Sequence, residues 1–126
     1  MHPRVKVYFD GGFRPGTVGM ETAVVVRGRS FIQRGLGLGS SMDAEWLALI
    51  RAVEVAQELG LANPLFLGDS LAVVDQANGR VKCRRAFVRH LLALKALNTS
   101  FAPLRIRHVK RTQNLAGIAL ARLHAR

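Results

Sequence analysis

The sequence predicts an α/β domain built on a mixed sheet, with elements in the order βββαβααβα. Three observations carry that expectation. Apolar and polar residues alternate with period two in the early segments. A long apolar stripe at helical spacing follows them. Shorter strand and helix patterns then alternate toward the C-terminus. With 126 residues, almost half of them hydrophobic, the chain is expected to form one domain over 1–126 with a single core.

Each element has its own signature. In residues 4–9, Val5, Val7 and Phe9 share one face and Lys6 and Tyr8 the other, which predicts a half-buried strand ending at Asp10. The glycines and proline of Gly11, Gly12, Pro15, Gly16 and Gly19 predict a loop. Residues 20–27 and 30–38 read as two further strands, joined by a hairpin turn over Arg27-Gly28-Arg29-Ser30. A helix over about 43–59 follows from Ala44, Ala48, Ala52, Val55, Ala56 and Leu59, joined by Leu47. Ser40, Ser41 and Asp43 offer capping chemistry at its start, and Gly60 closes it. Asn63-Pro64 breaks the chain before a short strand, Leu65-Phe66-Leu67. Asp69-Ser70 then opens a short helix that runs to about Asn78-Gly79. Residues 84–97 predict an amphipathic helix with Phe87, Leu91, Leu94 and Val88 inward and arginines outward. Residues 104–109 alternate as a strand, and 114–124 form a last Ala/Leu-rich helix.

Charge is unevenly distributed. Residues 1–79 hold 7 Lys/Arg and all 8 acids, whereas residues 80–126 hold 12 Lys/Arg and no acid. Such a regional excess predicts a polyanionic partner, with nucleic acid favoured over a merely soluble surface. Only Phe87 and Phe101 are aromatic in that half, so contact with the phosphate backbone is expected over stacking on single-stranded bases. No apolar run approaches the ~20 residues that span a bilayer. The N-terminus lacks the apolar core of a signal peptide, and a single cysteine, Cys83, fits a reducing compartment. These features predict a cytoplasmic protein. Cys83 stands beside Lys82 and Arg84, which could lower its pKa, although a small filler residue is the favoured reading.

Against this basic background three carboxylates stand out at element ends: Asp10, Glu45 and Asp69. Neighbouring strand ends can bring Asp10 and Asp69 together, and Glu45 can point back from the first helical turn. Acids that close repel one another unless a cation intervenes. A divalent ion with oxygen ligands would resolve the repulsion, orient water for attack on a phosphodiester and stabilise the leaving oxygen. Each acid alone has a plainer explanation. Asp69 can cap a helix, Glu45 can favour a helix dipole, and Asp10 can turn the chain with Gly11. Other chemistries lack their patterns. His2, His90, His108 and His124 show no metal-ligand spacing and read as surface or strand residues. Ser70 has no histidine partner by motif, and the glycines after Asp10 lack a Walker ending.

Taken in order, Tyr8-Phe9-Asp10-Gly11-Gly12, Ala44-Glu45-Trp46-Leu47-Ala48-Leu49, Gly68-Asp69-Ser70 with Val73-Val74, Gln76 and Gly79, and His108-Val109-Lys110-Arg111 with Asn114 resemble ribonuclease H type 1 across the whole chain. The resemblance implies a five-stranded mixed sheet flanked by helices. It also implies cleavage of the RNA strand of an RNA–DNA hybrid with magnesium or manganese, one or two ions, leaving a 3′-hydroxyl and a 5′-phosphate. Asp10, Glu45 and Asp69 match three of that family's four metal-binding acids. Gly11, Gly12, Ser41, Met42, Ser70, Gln76, Arg111 and Asn114 fall where the family meets its substrate, in part through RNA 2′-hydroxyls.

The chain departs from the family pattern in three places. The fourth acid's position is held by Ile118, and no Asp or Glu follows Asp75. Ser40-Ser41-Met42-Asp43 stands where the family carries an Asn. The loop before the last helix is too short for the histidine some members have. These departures leave three readings: an endonuclease with reduced or altered activity, a hybrid-binding module that does not cut, and an interaction domain with a relict site.

Overall fold

The computed structural model describes residues 4–16 and 19–124. The expectation for His2, and the middle of the loop expected after Asp10, lie outside them. The strands are β1 (Val5–Arg14), β2 (Gly19–Val26), β3 (Arg29–Gln33), β4 (Pro64–Gly68) and β5 (Ile106–His108). The helices are α1 (Ser41–Glu58), α2 (Leu71–Ala77), α3 (Val88–Leu97) and α4 (Leu115–Arg122), with single 3-10 turns at Arg85–Phe87 and Arg111–Gln113. The five strands lie in the order β3-β2-β1-β4-β5. β1, β2 and β3 form an antiparallel meander, while β4 and β5 extend the sheet in parallel. This is the mixed sheet the sequence predicts.

The sheet is covered on both faces. Val7, Phe9 and Val24 face Trp46, Leu49 and Val53 of α1 in the larger core. Tyr8, Ala23 and Val25 meet Ala116 and Leu120 of α4 on the other face. The alternation of β1 therefore separates two packed layers rather than core from solvent. α1 is buried more widely than its alanine stripe suggests, because it packs on β1 and β2 and also against α3. Leu59 lies at its exposed end.

The bounds of β1, β3, β5 and α3 differ most from expectation. β1 continues through Gly11 and Gly12 to Arg14, because those residues pair with Thr22, Glu21, Met20 and Gly19 in the β2 ladder. Of the glycines read as loop signals, Gly11, Gly12 and Gly19 are strand residues and Gly16 lies in the turn. Gly11 serves close approach: a Cβ there would lie 2.1 Å from the Ala44 carbonyl oxygen. β3 ends at Gln33 rather than 38, since Gly35 and Gly37 adopt positive φ and leave the ladder. β5 keeps only three residues, with α3 beginning at Val88 after its 3-10 turn. The hairpin turn forms as expected, with φ of 50° at Arg27 and 79° at Gly28.

Candidate metal centre and nucleic-acid cleft

The parallel register of β1 and β4 brings two acids side by side. Tyr8 pairs with Leu67, and two residues farther along each chain stand Asp10 and Asp69. Asp69 is not needed as a helix cap, because Ser70 is the N-cap of α2 and accepts from the Val73 amide. At the start of α1, Ser40 and Asp43 form a reciprocal capping box. That leaves Glu45, one turn inside, free to reach β1. Its Oε1 accepts the Gly11 amide at 2.7 Å, which the missing Cβ of Gly11 makes possible. Ligand oxygens of Asp10, Glu45 and Asp69 all lie within 4.8 Å of one another.

The electrostatics of this cluster are uncompensated. Burial pushes the Asp10 carboxyl up, and Asp69 adds to the shift, against the opposing contacts of Glu45 and Arg111. Burial also pushes Glu45 far up, helped by the neighbouring carboxylates of Asp10 and Asp69. Glu45 Oε2 is buried and accepts no donor among the described residues. Three converging carboxylates with an orphaned oxygen suit a hard divalent cation, which takes oxygen ligands.

Asn114 fixes the third side. It is fully buried, donates through Nδ2 to the Phe9 carbonyl at 3.0 Å and to Asp69 Oδ2 at 3.1 Å, and caps α4 through the Ala116 amide. Its amide is thus committed to the protein, and it positions Asp69 instead of facing a ligand as the sequence suggested. Gln76 departs from expectation too. It is buried and accepts from the Cys83 thiol, outside the cleft. Burial raises the pKa of Cys83, against a weaker effect of Lys95, so the thiol is not activated. Gly11, Gly12, Ser41, Met42, Ser70 and Arg111 do line one cleft of about 1020 Å³ with the three acids.

A profile of the reverse transcriptase-like family matches residues 21–124. The crystal structure of RNase H1 from the halophilic archaeon Halobacterium salinarum superposes with a TM-score of 0.80 at 30% identity, over 94% of each chain. The chain belongs to the ribonuclease H type 1 family. Ribonuclease HI of the same organism is 32% identical over 94% of this chain, and the chain spans 62% of that protein's length. The structure of LC11-RNase H1 in complex with an RNA/DNA hybrid superposes with a TM-score of 0.78 at 25% identity, over 92% of each chain.

Within this ribonuclease H frame, α4 approaches the acids at Gly117, where a Cβ would lie 3.4 Å from Asp10 Oδ2 and 3.7 Å from Asp69 Oδ2. Ile118 follows it on the cleft wall, 38% exposed. Sequence reading missed two other histidine pairs. His90 is buried, stacks on Trp46 and Phe87, and meets Asp43 Oδ1 at 2.8 Å. His124 meets the buried Glu21 at 2.7 Å. An available signal was Glu21 itself, an acid inside the apolar strand run Met20-Glu21-Thr22-Ala23.

Proposed function

We propose that the chain is a divalent-metal-dependent endonuclease that cleaves the RNA strand of an RNA–DNA hybrid, leaving a 3′-hydroxyl and a 5′-phosphate. The observation that carries this reading is the uncompensated cluster of Asp10, Glu45 and Asp69. The ribonuclease H relatives, one of them crystallised with an RNA/DNA hybrid, supply the substrate class. Asp10, Glu45 and Asp69 would hold one or two magnesium or manganese ions. A divalent ion there supplies charge for the developing oxyanion and makes water a better nucleophile. The remaining tasks fall to the chain itself. Gly11 orients Glu45 through its amide, and Asn114 orients Asp69. Arg111 lies by Asp10 in the cleft, where it can meet a strand phosphate. The hydroxyls of Ser41 and Ser70 can hydrogen-bond RNA 2′-hydroxyls, and Met42 adds apolar contact. With Ile118 in place of a fourth acid, manganese is expected to support a higher rate than magnesium, whose octahedral demand is stricter. A cytoplasmic location belongs to the same proposal; among the described residues no helix is long and apolar enough to cross a membrane.

Ile118 also favours a second reading, a module that binds hybrid without cutting. Incubation of the folded protein with a labelled RNA–DNA hybrid and either ion separates the two. Cleavage that Asp10→Asn abolishes supports the endonuclease. An intact hybrid at high protein concentration, with binding retained, leaves the module.

A further inference from the structure

The cleft has a second charged end, with the opposite sign. Gly12 pairs with Glu21 across β1 and β2, two residues along from the Asp10–Ala23 pair and on the same sheet face. At the rise of a strand this is about 7 Å from Asp10. Glu21 is 1% exposed, yet its carboxylate is surrounded by bases. His124 Nε2 lies 2.7 and 3.1 Å from its two oxygens, Arg34 Nε donates at 3.0 Å, and Arg14 Nε stands 4.0 Å away. Glu21, Arg14 and His124 line the same cleft as the three acids.

We propose that Arg14 and Arg34, anchored by Glu21, form a binding site for a phosphodiester one or two nucleotides from the scissile bond. This deepens the proposed hybrid-cleaving function and rests on it for the identity of the strand. A buried carboxylate that needed only neutralising would be satisfied by one guanidinium and the imidazole. Two arginines for one acid leave an excess of positive charge at this end. Arg34 donates through Nε to Glu21 and Arg14 turns its Nε toward the same carboxylate at ion-pair distance, and both are about half exposed. A guanidinium held through Nε still has its two Nη groups to offer to phosphate oxygens. Glu21 therefore acts as an anchor that orders two long side chains before a ligand arrives, reducing the entropy lost on binding. The spacing suits a strand that places one phosphate at the acids, since successive charges of one strand advance about 3.4 Å along the helix axis.

The test is metal-free binding of a labelled RNA–DNA hybrid across a range of salt, using the full chain. Arg14→Gln and Arg34→Gln are each expected to reduce the slope of log affinity against log salt by about 0.9, the value of one duplex phosphate contact. In cleavage assays KM should rise several-fold while kcat holds. Arg29→Gln, on the β3 edge over Phe31, should leave the slope unchanged. Unchanged slopes for Arg14 and Arg34, or an equal loss with Arg29→Gln, would overturn the site. If inorganic phosphate at constant ionic strength displaces the hybrid in an Arg34-dependent way, the site serves a free anion and the proposal fails. Should Arg34→Gln not fold, Arg14→Gln reads the same slope, because Glu21 then keeps its closer partners Arg34 and His124. Since the readout is binding, a reduced slope in a protein that never cuts upholds the site and removes only the endonuclease reading.

Discussion

Asp43 and Glu45 stand two residues apart on the first turns of α1, and their surroundings differ in sign. Burial would raise the Asp43 carboxyl, but hydrogen bonds from His90, from the Ser40 hydroxyl and amide, and from Arg89 outweigh it and hold it well below the usual carboxylate range. Glu45 turns to the opposite side of the helix and meets Asp10 and Asp69, so its carboxyl is pushed well above that range. The first acid is complete within the protein. The second has a buried oxygen with no donor among the described residues and two like charges beside it. Burial alone thus does not mark a functional carboxylate; burial without a partner cation does.

The largest effect should come from breaking the Glu45 side. Glu45→Gln removes a proposed ion ligand, and a loss of several kcal/mol of charge stabilisation corresponds to about a 10³-fold slower cleavage. Single-turnover cleavage of a labelled hybrid measures it. The same substitution should stabilise the metal-free protein at alkaline pH, because the unpaired charge is gone. A rate within tenfold of the unmodified protein would assign the chemistry elsewhere.

On the Asp43 side the expected loss is in stability. His90→Leu leaves the Asp43 carboxylate without its imidazole partner and should lower stability by about 1.5–3 kcal/mol, the range for a hydrogen bond to a charged group. Denaturant titration at pH 7 checks this. Cleavage by the folded fraction should change little if His90 only holds the start of α1.

The pH dependence of melting separates the two acids directly. Glu45 and Asp10 have raised pKa values in the folded protein, so their contribution is fully present below the ordinary carboxylate range near pH 4 and is lost as pH rises above it. Asp43 is lowered, so its contribution is present above about pH 4 and is lost as pH falls below. The metal-free protein should therefore melt lower at pH 8 than at pH 5. A divalent ion at 100 times its Kd contributes about 2.7 kcal/mol, which should raise Tm by several degrees at pH 8 and by less at pH 5. Equal ion-induced shifts at both pH values would contradict an uncompensated cluster.

Much of the Glu45 side was legible in the sequence, and little of the Asp43 side. Asp10, Glu45 and Asp69 sit at element ends within short motifs, and local pattern locates such residues. Gly11 and Gly12 were misread because glycine signals a turn far more often than a strand residue; Gly11 is set apart only by the α1 crossing, and Gly12 only by its pairing with Glu21. His90 is 47 residues from Asp43, and no local pattern links them. Arg34, His124 and Glu21 likewise come together only through the sheet and α4. Asn114 carried the family position but not its role, since its amide is consumed by Phe9 and Asp69 once α4 docks.

The smallest change should come from adding charge to the deficient side. Ile118 is partly exposed on the cleft wall, directly after Gly117, whose place on α4 faces Asp10. Ile118→Asp would bring a fourth carboxylate toward a cluster that already repels itself. In the metal-free protein this should lower Tm at pH 8, because one more charge meets Asp10. With a divalent ion the same charge becomes a ligand, and affinity should rise about tenfold, or ~1.4 kcal/mol. Calorimetric titration of the ion and cleavage rates in magnesium against manganese read both consequences. The advantage of manganese should shrink as magnesium gains a ligand. A variant that binds ions no more tightly, yet melts lower at pH 8, would mean that residue 118 feels the cluster's charge without reaching the ion. The three acids would then be the full set of protein ligands this chain can offer.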